Sequence, residues 1–194
     1  MPNLLPFGNY DEHDVINIFA CNKVANKGTL VSPLRSWKDN NESIDKNTNG
    51  PLILSSNGPG QLYANSVSNN FELIGTVTPT LNYNSSPTSI GLLLKDVREF
   101  DENGKKLIFD ARKAAEMDVI IKDLQAVPIL MKGLVLVNDI DETSINPNAG
   151  GPPDNGDFAY VGSNGRIGTD GWIKIGRFLS QKDQNGYALV SINI

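Results

Sequence analysis

The chain has 194 residues, enough for one domain with its own core, and a net charge of −5 with a pI near 4.9. Hydrophobic residues make up 39% and charged residues 20%, so a large neutral polar share of Asn, Ser, Thr and Gly favours turns and strands over long helices. No basic patch of the size that nucleic-acid binding needs is present, no apolar run reaches the ~18 residues of a membrane span, and no basic leader precedes an apolar run as in a signal peptide. The expected setting is a reducing cytoplasm, with neither nucleic acid nor membrane as partner. Cys21 is the only cysteine, which excludes an internal disulfide. Its apolar neighbours make it a small buried hydrophobe.

The opening "MPNLLPFGNY" carries Pro2, Pro6 and Gly8 and reads as extended. "DEHDVINIFA" then predicts a short helix, with Asp11 as its cap and Val15, Ile18 and Phe19 sharing a face at i, i+3, i+4. A helix of two to three turns is unstable alone in water, so its apolar face needs a partner. Residues 1–25 are therefore expected to form an N-terminal docking arm with a short helix, its apolar anchors being Leu4, Leu5, Phe7, Tyr10, Ile16 and Phe19. Residues 26–194 are expected to form a β-rich body.

Within that body "KGTLVSPL" predicts a strand, and the Asn-rich "SWKDNNESIDKNTNGP" an exposed loop. "LILSS" and "FELIGTVTPTLNY" predict further strands around the turn "NGPGQ", the second interrupted at Pro79. "IGLLLKDVREF" and "KKLIF" flank "DENG", a hairpin signal. "DARKAAEMDVI" predicts a second helix capped by Asp110. "LQAVPILMKGLVLVND" returns to strand character, and the polar run over 141–157 predicts a long loop that could divide the body. "DFAYVG", "RIG", "WIKIGRFLS" and "YALVSINI" predict short strands, with hairpin turns at Asn164-Gly165 and Asn185-Gly186. Many short strands with one or two brief helices predict a mainly-β fold, a compact β-barrel or β-sandwich body.

Residue types that carry chemistry are sparse. His13 is the only histidine, so neither a His-rich metal site nor a supported Ser-His-Asp triad can be built from the pattern. Asp139, Asp141 and Thr143 alternate as in a calcium loop, but an EF-hand needs Gly at position six and Glu at position twelve. Counted from Asp139, those positions hold Ser144 and Gly150, so the acidic loop reads as solvated. "NGPGQ" and "AGGPP" lack the lysine of a phosphate loop. Trp37, Trp172, Tyr63, Tyr160 and Tyr187 could stack on sugars or bases, but for the four on strand-like segments core or subunit-interface packing is the more common use. The expectation is a protein without catalytic residues, cofactor or metal.

The run "GDFAYVGSNGRIGTDGWIKIGRFLSQKDQNGYALVSI" resembles an ending found in virion proteins of tailed phages, through Gly156, Asp157, Tyr160, Gly165, Gly176, Arg177, Gly186 and Tyr187. The opening "YDEHDVINIFACN" with "NKGTLV" resembles the N-termini of phage head-associated proteins. Together the two ends resemble the capsid decoration, or cement, proteins. That resemblance implies a non-enzymatic virion protein, synthesised in the host cytoplasm, which binds the major capsid protein on the outer shell. It implies self-association, most often as a homotrimer, and an N-terminal arm laid over neighbouring subunits. A tail, baseplate or fibre component would share the same composition, and a carbohydrate-binding module is the alternative from another class.

Overall fold

The computed structural model describes residues 3–9, 11–33, 75–80, 89–143 and 151–194. The predicted loop over 36–51, the "LILSS" strand, Trp37 and Tyr63 lie outside these residues. In chain order the strands are β1 (Leu4–Asn9), β2 (Val15–Ile16), β3 (Phe19–Cys21), β4 (Leu30–Pro33), β5 (Gly75–Pro79), β6 (Gly91–Leu93), β7 (Val97–Arg98) and β8 (Ile120–Ile121). They continue with β9 (Ile129–Leu130), β10 (Lys132–Val137), β11 (Ile140–Asp141), β12 (Phe158–Val161), β13 (Ile167–Gly168), β14 (Lys174–Phe178) and β15 (Ala188–Asn193). Among the described residues one α-helix, α1 (Ala111–Glu116), joins 3-10 turns at Glu12–Asp14, Leu107–Phe109 and Ser163–Gly165. The protein is mainly β, as its composition predicts.

Among the described residues the strands form a seven-stranded sheet, β1-β10-β15-β14-β12-β13-β11, a six-stranded sheet, β2-β9-β6-β4-β5-β3, and the small pair β7-β8. The six-stranded sheet curls back on itself. Ala20 of its edge strand β3 bridges to Ala126, and the Val127 N–H donates to the Phe19 carbonyl at 2.9 Å, in the run that leads into β9. Its inner face holds one core of Cys21, Val31, Val77, Leu93, Val97, Val127 and Ile129. Its outer face presents Leu30, Leu92 and Leu130 to the seven-stranded sheet, which contributes Leu4, Val135, Val137, Ile175, Phe178, Val190 and Ile192 to the main core. Strands β4, β6 and β9 thus bury both faces, which is why each carries consecutive apolar residues, Leu30-Val31, Leu92-Leu93 and Ile129-Leu130.

The predicted α1 forms where expected, and the Asp110 carboxylate accepts from the Lys113 N–H at 3.2 Å. The predicted helix over 11–20 does not form. Asp11 accepts from the His13 N–H at 2.8 Å, but it caps only a single 3-10 turn. The β-branched Val15 and Ile16 then pair with Leu130 and Ile129, and Phe19 pairs with Gly75. Their helical spacing arises from two short strands separated by Asn17 and Ile18. The docking arm is corrected for the same reason. The segment is extended, but β1 runs antiparallel to β10 with Leu4 opposite Val137, and Leu4 is 1% exposed in the main core. β1 is thus woven into the seven-stranded sheet, and β2 and β3 into the six-stranded one. Nor does the loop after residue 141 divide the body, because β11 and β12, on either side of it, belong to the same sheet.

Both late Asn-Gly pairs close hairpins. At Asn185-Gly186, between β14 and β15, the Gly186 N–H donates to the Asp183 carbonyl at 2.9 Å. At Asn164-Gly165, between β12 and β13, Asn164 lies at φ 54 and Gly165 at φ +76. A Cβ on Gly165 would stand 2.6 Å from Thr29 Cγ2 and 2.9 Å from the Leu30 carbonyl oxygen, so only glycine lets this turn seat against the barrel. "DENG" also turns the chain, with Phe100 bridged to Lys106, but "KKLIF" continues as a 3-10 turn instead of a strand.

Candidate functional site

An ordinary antiparallel sheet with one face on the core sends polar residues outward. The seven-stranded sheet departs from this pattern. Val135, Val137, Ala188, Val190 and Ile192 point into the core, so the alternate residues of β10 and β15 point away from it. Those residues include Leu134, Leu136 and Leu189. Register aligns Leu5 of β1 with Leu136 of β10 and Leu136 with Leu189 of β15. The row continues to Leu179, whose N–H donates to the Leu189 carbonyl at 2.8 Å. Leu5 is 36% and Leu179 44% exposed. An apolar stripe therefore crosses β1, β10 and β15 on the outside of the sheet and reaches Leu179, the residue after β14.

The neighbouring row runs from Leu134 through Ser191 and Arg177 to Phe158. Lys174 lies opposite Tyr160. The Lys174 Nζ sits 3.6 Å and the Arg177 Cζ 3.9 Å from the Phe158 ring centroid. Tyr160 meets the same ring edge-on, with centroids 6.4 Å apart. Arg177 Nη1 also donates to the Gly156 carbonyl at 2.9 Å, which fixes its guanidinium beside the ring. The face is thus apolar toward β1 and cationic-aromatic toward β12.

Of the six anchors expected from the sequence, Leu5 lies on this face. Leu4 fills the main core, and Ile16 and Phe19 pack against the barrel core. Phe7 lies within β1, and Tyr10 is outside the described residues. The anchors therefore do not form one surface. Leu134, Leu136, Leu179, Leu189, Phe158, Lys174 and Arg177 were missed. The signal that could have found them is the run of apolar residues at both parities in "KGLVLV" and "ALVSI", leucine alternating with valine where a one-sided sheet would alternate with polar residues.

The acidic loop has a structural explanation. Asp141 is 3% exposed. Its carboxylate accepts from the Ser163 N–H at 2.7 Å and the Ser163 hydroxyl, and from the Thr143 N–H at 3.2 Å and hydroxyl at 2.5 Å. Arg166 Nη2 lies 3.4 Å away. Burial pushes the Asp141 pKa upward, but the hydrogen bonds from Ser163 and Thr143 outweigh it and bring it down to about 2. The ionised group ties the end of β11 to the turn after β12. Arg166, Asp139, Asn3, Asn26 and Asn164 line an adjacent polar cleft of ≈ 410 Å³.

Cys21 is fully buried and its Sγ donates to the Lys23 carbonyl at 3.2 Å. Burial raises its pKa, as expected of a packing residue. His13 is exposed. Among the described residues no three His, Cys, Asp or Glu side chains group as metal ligands, and no helix is long and apolar enough to cross a membrane. No protein-family model, curated protein or solved structure matches the chain.

Proposed function

We propose that the chain is a non-enzymatic structural protein of a tailed-phage virion, a decoration protein that binds the major capsid protein on the outer shell and stabilises it, associating there as a trimer. The observation that carries this reading is the leucine row Leu5–Leu136–Leu189–Leu179 on the outer face of the seven-stranded sheet. An apolar stripe of this kind on an otherwise polar, acidic chain is what a partner surface covers. The resemblance of the C-terminal run to virion proteins of tailed phages, and of the opening to phage head-associated proteins, supplies the kind of partner. Contact is through the sheet face and the open edge of β1, which can accept a further strand.

The test is cosedimentation of the purified protein with empty capsids and, separately, with purified tails of the particle. Capsid binding that falls at least tenfold in a Leu136→Ser/Leu189→Ser variant with unchanged circular dichroism supports the reading. Binding to tails alone makes the protein a tail component. No binding to either overturns the virion reading. A carbohydrate-binding module is favoured by one observation, the cleft lined by Asn3, Asn26, Asn164, Asp139 and Arg166, whose amide, carboxylate and guanidinium groups match sugar hydroxyls. A glycan array with an Asn164→Ala control tests it.

A further inference from the structure

Most lysines and arginines in the described residues have a carboxylate within 4.0 Å. Lys95, Arg98, Lys105, Lys106, Arg112, Lys113, Lys122, Arg166 and Lys182 are all paired in this way. An acidic chain has carboxylates to spare, so pairing is the ordinary state of its cations. Lys174 and Arg177 are exceptions, and they are exceptions together. Both lie within 4 Å of the Phe158 ring centroid, and neither has a carboxylate partner among the described residues.

Two like charges held against one ring repel each other, and the ring quadrupole offsets only part of that repulsion. The backbone makes the arrangement rigid. Arg177 is pinned by the Gly156 carbonyl at 2.9 Å, and β14 is held on both sides by β12 and β15. Gly176, between the two cations and their neighbours, approaches β15 so closely that a Cβ there would lie 1.9 Å from the Ser191 carbonyl oxygen. An anion placed against the pair would relieve the repulsion and accept charge-assisted hydrogen bonds, with no loss of side-chain freedom beyond what the clamp has already imposed.

We propose that Lys174 and Arg177, clamped on Phe158, bind carboxylates of an acidic protein segment that lies across the outer face of the seven-stranded sheet. The occupant is a protein segment because the cationic site is continuous with the leucine row. Leu134 and Ser191 connect the two in register, so one partner that presents acidic and apolar residues side by side covers both. A free anion would use only the cationic half. Continuity also names the chemistry of the partner: Asp or Glu next to aliphatic side chains. This inference deepens the proposed docking function and rests on it for the identity of the partner, but not for the chemistry of the site.

The experiment is a titration of the full-length protein with a hexaglutamate peptide, followed by nuclear magnetic resonance of the Phe158 and Tyr160 ring signals. A sulfated oligosaccharide and hexalysine serve as parallel probes. The expected result is saturable, salt-weakened binding of hexaglutamate with shifts centred on Phe158. A Lys174→Gln/Arg177→Gln variant should weaken it at least tenfold. A Phe158→Leu variant, which keeps the charges and loosens the clamp, should weaken it by a smaller factor. Absence of hexaglutamate binding, equal binding by the charge variant, or preference for the sulfated sugar over the peptide each overturns the proposal. If hexaglutamate binds as expected while capsids and tails do not, the site stands and the virion reading fails.

Discussion

Asp141 shows how one buried charge fixes a local structure. Its folded pKa of about 2 lies below the ordinary carboxylate value of 3.8, so its stabilising contribution is fully present above the unfolded value and is lost as pH falls from about 4 through 2. The linkage is worth about 2 kcal/mol at neutral pH. Asp141→Asn presents an amide to the donors of Ser163 and Thr143, and should cost about 2–3 kcal/mol at pH 7. The loss, read from urea unfolding, should shrink as pH falls through the same window. A loss independent of pH would show that geometry, not charge, does the tying. Cys21 gives a second expectation at this scale. With its thiol fully buried and its pKa raised, a thiol reagent at pH 8 should react only at the rate of unfolding. Fast labelling of the native protein would contradict that burial.

At the scale of elements, β1 reverses what its sequence implies. A Pro-containing first segment looks separable, yet Leu4 sits among Val135, Val137 and Val190 in the main core. Leu4→Ala should cost about 2–5 kcal/mol, whereas Leu5→Ala, on the outer face, should change unfolding free energy by less than about 1 kcal/mol. Chemical denaturation of the two variants checks this contrast, and equal losses would refute the register of β1 on β10. The pairing was illegible because it joins residues more than a hundred positions apart, and nothing local encodes it. The helix expected over 11–20 is absent for a related reason. Val15, Ile16 and Phe19 fit either a helical face or two short strands, and only the partners Leu130, Ile129 and Gly75 decide between them. Where the signal is local, it held. Asp110 before Ala-rich α1 and the Asn-Gly turns of the last two hairpins are legible in the sequence, because capping and positive φ depend on neighbours in sequence. The leucine-bearing outer face of the seven-stranded sheet falls between these cases. Its leucines are visible in "KGLVLV", but their alignment with Leu5 and Leu179 needs the sheet.

For the whole molecule, the order of strands predicts how it unfolds. The seven-stranded sheet draws β1, β10 and β11 from before the loop at 141–157 and β12–β15 from after it. Its central pairing, β10 with β15, runs unbroken from Lys132 opposite Asn193 to Val137 opposite Ala188. The main core then joins this sheet to the barrel through Leu30, Leu92 and Leu130. Neither side of the loop can bury its apolar face without the other, so calorimetry should record one transition, with equal van't Hoff and calorimetric enthalpies. Cleavage between β11 and β12 gives a sharper test. The fragment 151–194 has four strands but lacks β10, so it loses the neighbour of β15 and the barrel beneath it. Expressed alone it should show no cooperative melt. Mixed with fragment 1–143 it should regain the circular dichroism of the intact chain, at a midpoint that rises with concentration as expected for a bimolecular assembly. A fragment 151–194 that folds by itself would mean that the four C-terminal strands form an independent body. The leucine stripe across β1, β10 and β15 would then be an interface between two domains of the chain, and not a face for a partner.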